Sequence, residues 1–145
     1  MPEDHLTRLT LHSFAGTWSI ARRIDDFAAR RLATLDGTAT LSPAPWGLAY
    51  VETGTLHIEG QAPMAASRAY RWALRAGKIE VLFDDGRPFH VFDPSADRSS
   101  ATFHCGDDEY RVIYTFSRWP GWRSIWRVIG PRKDYRLETE YARAR

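Results

Sequence analysis

From residue 15 onward, apolar and polar residues alternate with a period of two almost without a break, which restricts the chain to half-buried strands rather than amphipathic helices. Trp18, Ile20, Arg22 and Ile24 alternate with Ser19, Ala21, Arg23 and Asp25. Leu48, Tyr50, Glu52, Gly54 and Leu56 alternate with Ala49, Val51, Thr53 and Thr55, and Arg68, Tyr70, Trp72 and Leu74 with Ala69, Arg71, Ala73 and Arg75. Further strands are predicted at 34–41, 79–83, 88–92, 100–105, 109–117, 123–130 and 135–141. The total of about ten is large for one sheet.

The punctuation suits hairpins. Asp36-Gly37, Asp85-Gly86, Gly106-Asp107-Asp108 and the run from Gly130 to Asp134 carry residues that accept turn dihedrals. Asp85-Gly86 reads as a type I′ turn. Residues 3–13 read as a short helix, with Leu6, Leu9 and His12 or Phe14 on one side, and 27–33 as a further helical turn. Strands this short and numerous remove their exposed edges by closing. The fold expected is therefore all-β, an antiparallel up-and-down barrel of eight to ten strands, with a β-sandwich as the alternative. Its 145 residues make one domain, a helical segment at 1–13 before a barrel at 14–141.

No apolar run approaches the ~18 residues of a membrane span, the N-terminus lacks the layout of a secretory signal, and Cys105 is the single cysteine. These features predict a soluble, cytoplasmic protein with no membrane partner. The net charge is +2 but uneven: residues 118–145 hold eight basic against three acidic residues. Beside Trp119, Trp122 and Trp126, a basic end is compatible with nucleic acid. The plainer reading is a solvated strand face and a frayed tail, and it is preferred.

Phe14-Ala15-Gly16-Thr17-Trp18, opening the first strand, is similar to the Gly-x-Trp start of calycins, the superfamily of lipocalins and fatty-acid-binding proteins. The resemblance implies a Trp that seals the closed end of a barrel against a basic side chain from a late strand. Arg143 is the first choice for that side chain and Arg132 the second. A wider resemblance runs through Tyr50-x-Glu52-x-Gly54, Arg68-x-Tyr70-x-Trp72 and Phe83-x-Asp85-Gly86-Arg87-x-Phe89-His90. It continues through His104-Cys105 and Asp108-x-Tyr110 to Trp126-x-Val128-x-Gly130-Pro131-Arg132-Lys133-Asp134-Tyr135. On these motifs the chain resembles a small family of lipocalin-like proteins of bacteria and fungi classed as a domain of unknown function. The resemblance implies a calycin-like barrel and no particular activity.

If Trp18 points inward, so do Ile20, Arg22 and Ile24. By apolar content the other inward residues are Tyr50, Glu52, Leu56, Tyr70, Trp72, Tyr110, Val112, Tyr114, Phe116, Trp126 and Val128. Arg22, Glu52 and Arg68 ride with them, and a charge facing a low-dielectric interior must be paired or hydrogen-bonded. Either these charges meet a ligand in a polar, wet cavity, or Glu52 bridges to Arg68 while Arg22 caps the barrel floor. Arg87 and His90 either present a rim to an anion, or Arg87 pairs with Asp84 or Asp85 within the turn.

His90 and His104 each lie opposite in phase to their apolar neighbours, so they are expected to face the interior or its mouth where those neighbours face out, the alternative being a solvated external pair. A bulge near the Asp85-Gly86 turn would flip the phase. His104 and Cys105 are consecutive and point to opposite faces, so no metal site is expected, and no cofactor. One such His in a calycin-like barrel could ligate haem. No nucleophile, zinc or phosphate-loop motif occurs.

The leading reading is a binder of a small, anionic, partly apolar molecule. Arg22, Arg68 and Arg87 meet its acidic group, with Tyr50, Glu52, Tyr70, Trp72, His90, His104, Tyr114 and Trp126 around it. The alternative is an enzyme of the same fold, an isomerase or cyclase using His90, His104 and Tyr114 for proton transfer. Oligomeric state stays open.

Overall fold

The computed structural model describes residues 8–144. A single turn of 3-10 helix, Leu11–Phe14, leads into ten strands. They are β1 (Gly16–Asp26), β2 (Arg31–Ala44), β3 (Gly47–Ile58), β4 (Met64–Arg75), β5 (Lys78–Phe83), β6 (Pro88–Phe92), β7 (Arg98–Cys105), β8 (Asp108–Thr115), β9 (Trp122–Ile129) and β10 (Asp134–Arg143). All pairings are antiparallel, in the order β6-β5-β4-β3-β2-β1-β10-β9-β8-β7. The first and last strands join from Trp18↔Arg143 to Asp26↔Tyr135, so the chain termini lie in the middle of the sheet. The two edges, β6 and β7, are consecutive in sequence and face each other, leaving a nearly closed barrel with one seam.

The expected barrel is thus confirmed, with its local geometry differing in four places. Asp36-Gly37 is not a turn but lies inside β2, with Gly37 directly opposite Gly54 on β3. A Cβ at Gly37 would run into the Thr53 carbonyl, so the two backbones approach as closely as only glycine permits. The Asp85-Gly86 turn is not type I′. Only Gly86 has a positive φ, 90°, and its N–H donates to the Phe83 carbonyl at 2.8 Å. The loop is a three-residue hairpin closing on a left-handed glycine. Of the helix expected at 3–13, residues 1–7 lie outside the described part, residues 8–10 are not helical, and the short 3-10 turn begins at Leu11. Residues 27–30 form a hairpin turn rather than a helical one, and Arg31 already belongs to β2.

Side chains fill the barrel in three levels. At the closed end Phe14, Trp18, Phe92, Phe116, Trp119 and Trp122 pack edge to face, with Phe14 and Trp18 fully buried. Fully burying one such side chain stabilises by roughly 1.5–3 kcal/mol. The Trp18 Nε1–H donates to the Phe14 carbonyl at 3.0 Å, so the indole is satisfied where it is dry. A polar level crosses the middle. At the other end Tyr70, Phe83, Phe103, Tyr110 and Trp126 are only half-buried and form the mouth.

Candidate functional site

Arg22 and Glu52 meet across the barrel interior. Arg22 Nη1 and Nη2 donate to the two Glu52 carboxylate oxygens at 2.6 and 2.8 Å, and Arg22 Nε donates to Thr139 Oγ1 at 2.7 Å. Thr139 is the register partner of Arg22 on β10. Between β1 and β3 runs β2, whose Gly37 pairs with Ile20 and Gly54 and whose Ala39 pairs with Trp18 and Glu52. These two small residues leave a passage through which the long side chains reach each other. The Tyr50 hydroxyl donates to Glu52 Oε1 at 2.7 Å and lies 2.9 Å from the Tyr141 hydroxyl.

Both charges are buried and mutually satisfied. Burial pushes the Glu52 carboxyl up, but the hydrogen bonds and charge of Arg22 outweigh it and hold the group below its ordinary range. Burial likewise opposes the Arg22 charge, and the Glu52 partner more than restores it. Burial raises Tyr50, Tyr70, Tyr114 and Tyr141, so all four phenols stay protonated.

The expected Glu52–Arg68 bridge is therefore secondary, and Arg22 does not cap the floor. Arg68 is the direct register partner of Glu52. Its Nε nevertheless stops 3.7 Å from the carboxylate, an ion pair beyond hydrogen-bond length, while Arg22 and Tyr50 make the short bonds to that group. Instead the Arg68 guanidinium sits 5.6 Å from the Trp126 ring centroid, with 37 % of its side chain exposed towards the mouth.

His90 faces inward, in the phase of Phe92 and opposite the buried Val81. The β5–β6 register then shifts so that Leu82 pairs with Pro88, leaving Phe89 as an extra residue, and this bulge turns Phe89 into the core beside His90. His90 Nε2 lies 2.8 Å from the Tyr114 hydroxyl, while Nδ1 is buried without a partner. Burial lowers its pKa to about 3, so the imidazole is neutral.

His104, expected to point inward, points outward. It is 66 % exposed in its side chain and reaches Glu109 at 3.3 Å, because Phe103 takes the inward phase on β7. Arg87 also stands outside, 71 % exposed and paired with Asp85 at 2.7 Å, the turn-bound arrangement rather than a rim that presents its charge inward.

The central cavity is lined by Arg22, Tyr50, Glu52, Arg68, Tyr70, Trp72, Tyr114 and Trp126, all foreseen from alternation. Val81, Ser124, Leu137, Thr139 and Tyr141 complete it. Thr139 and Tyr141 share the phase of Leu137 on β10, and Ser124 that of Trp126, so carrying the alternation onto the last two strands would have found them. The free space is about 20 Å³, room for roughly one water. Of the two alternatives for the inward charges, pairing within the barrel is what this structure shows for Arg22 and Glu52, and side chains from all sides leave little free space around them. The Nε2 of the inward imidazole lies against the Tyr114 hydroxyl rather than open space. On the outer face, Arg123, Arg127, Lys133 and Arg136 are paired with carboxylates, as a solvated strand face requires. Among the described residues no helix is long and apolar enough to cross a membrane.

The fold is similar to that of solved structures. An S-type phycobiliprotein lyase from Guillardia theta aligns over 100 % of this chain and 94 % of its own, with a TM-score of 0.64 and 7 % identity. A protein of unknown function from the DUF3598 family of Nostoc punctiforme aligns over 92 % of this chain with a TM-score of 0.55 and 9 % identity. The alignment takes in 48 % of that protein, so this chain spans about half of it. At such identities the likeness is one of fold. No curated protein matches the sequence. Residues 14–143, nearly the whole barrel, match the family described as "Family of unknown function (DUF6314)", and the chain belongs to that family.

Proposed function

We propose that this protein is a small-molecule-binding barrel of the calycin kind, holding an aromatic or amphipathic ligand that bears an acidic group. The observation that carries this reading is the arrangement at the mouth. An arginine without a hydrogen-bonded acid, Arg68, stands over Trp126 at the edge of a cavity whose outer wall is half-buried aromatic rings. Concave sites with apolar walls and a few placed polar groups are the common form of small-molecule site. The resemblance to a barrel named as a phycobiliprotein lyase supports the same reading at the level of fold.

The ligand makes its own room. The seam between β6 and β7 carries no strand ladder and is closed near the mouth by rings packed on Phe103 of β7, Phe89 at 5.2 Å and Phe83 at 5.9 Å. Rings that only pack against each other separate more readily than paired strands. Native mass spectrometry of freshly purified protein, with titration of 8-anilino-1-naphthalenesulfonate followed by fluorescence, tests the reading. A co-purified organic adduct, or saturable one-to-one dye binding to the folded protein, supports it. Absence of both overturns it.

A further inference from the structure

The charges lining the cavity do not balance, and their geometry says which one is free. Arg22 and Arg68 stand against a single carboxylate, Glu52. Arg22 meets that carboxylate through two short bonds and gives its Nε to Thr139. Arg68 is left in a looser contact with the same carboxylate, 3.7 Å away, so the three lining charges sum to +1 and Arg68 is the less tightly held of the two cations. We infer that Arg68, with the Tyr70 phenol beside it and Trp126 beneath it, is a subsite for a single anionic group, and that the ligand is a monoanion with an apolar body. The inference rests on the binding reading and deepens it by naming the charge and the residue that selects it.

Three features support this placement. Arg68 faces the mouth, so an anion reaches it without breaking the Arg22–Glu52 pair. Burial keeps the Tyr70 phenol protonated, which makes it a donor to the same anion. Around Trp126 the mouth offers rings, Tyr70 at 6.1 Å and Phe89 at 5.3 Å. The other cations at its rim, Arg87 over Phe83 and Lys133 over Tyr110, are already paired with Asp85 and Asp108. A second charge on the ligand would have to sit against those rings, where an unpaired charge is costly. Glu52, already holding Arg22, repels an anion that goes deeper, so the acidic group stops at Arg68 and the body points outward.

Calorimetric titration with three probes of one shape tests this: 1-naphthalenesulfonate, its neutral isostere 1-naphthalenesulfonamide, and 1,5-naphthalenedisulfonate. The monosulfonate is expected to bind at least tenfold more tightly than the sulfonamide, and the disulfonate no more tightly than the monosulfonate. In Arg68→Met the monosulfonate loses that advantage while the sulfonamide changes less than twofold, a comparison within one variant that does not depend on its stability. Equal affinity for sulfonate and sulfonamide, an undiminished preference in Arg68→Met, or tighter disulfonate binding overturns the subsite. If no probe binds and no adduct co-purifies, the binding reading itself falls, and the subsite with it.

Discussion

Arg143 on β10 lays its guanidinium 3.9 Å from the ring centroid of Trp18 on β1, and donates to the carbonyls of Ser13 and Ala15, each at 2.8 Å. One side chain thus ties the last strand to the first and holds the N-terminal turn over the closed end. The contact matches the partner expected for the Gly-x-Trp motif, and Arg132 has no part in it.

Replacing Arg143 should loosen that closure. The cation–π contact is worth ~0.5–2 kcal/mol, and each hydrogen bond adds about 1 kcal/mol. Arg143→Ala is expected to destabilise by roughly 2.5–4 kcal/mol in urea unfolding, and Arg143→Lys by less, because an ammonium cannot stack and fork at once. Its Trp fluorescence should shift to the red as water reaches Trp18.

The central pair predicts an asymmetry between two arginines. Arg22→Met strands Glu52 in the core and should cost about 3–5 kcal/mol, much of it recovered in Arg22→Met/Glu52→Gln. Arg68→Met leaves the pair intact and should change stability by less than about 1 kcal/mol. Thermal or urea melts of the three variants check this, and a large loss in Arg68→Met would show that Glu52 depends on Arg68 after all.

Acid should weaken the fold well above the carboxylate range. His90 has a pKa of about 3 in the folded protein against an ordinary 6.5, because burial disfavours the imidazolium. The unfolded chain therefore binds the extra proton first, and stability falls as pH drops below 6.5. This group alone gives a loss of about 2 kcal/mol between pH 7 and pH 5. Glu52, whose folded pKa is lowered, contributes stability that is present above 4.5 and lost only as pH falls through the folded value. Urea unfolding at pH 7, 6 and 5 reads the His90 component before Glu52 enters. An NMR titration should show His90 silent down to pH 4 in the folded protein.

Gly37 offers a test of the β2–β3 approach. A methyl group there meets the Thr53 carbonyl and the Gly54 Cα. Gly37→Ala should therefore cost more than the ~1–3 kcal/mol of an ordinary overpacked site, because the clash is with backbone, whereas an alanine at Gly60 meets no atom and carries only the ~1–2 kcal/mol of its positive φ, 81°. Equilibrium unfolding of Gly37→Ala beside Gly60→Ala, whose Cβ would meet nothing within 4 Å, separates the two cases.

The sequence by itself determined the strands, the antiparallel meander and most of the inward face. Alternation is a local property: once Trp18 is buried, the pleat carries Ile20 and Arg22 inside with it, and the same rule placed Tyr50, Glu52, Trp72, Tyr114 and Trp126. Three things were decided only by the tertiary structure. Glu52 lies nearest Arg68 along the ladder, yet it pairs with Arg22, because Gly37 and Ala39 on the intervening strand leave room for a contact that spans three strands. Phe89 joins His90 on the inner face because a bulge inserts one residue and breaks the period, while His104 sits in the opposite phase to the inward Phe103 and turns out. The size of the cavity depends on how side chains from strands all around the barrel, such as Tyr50, Trp72, Tyr114 and Tyr141, meet in its middle. That is a relation between residues distant in sequence, which a pattern of neighbours does not contain.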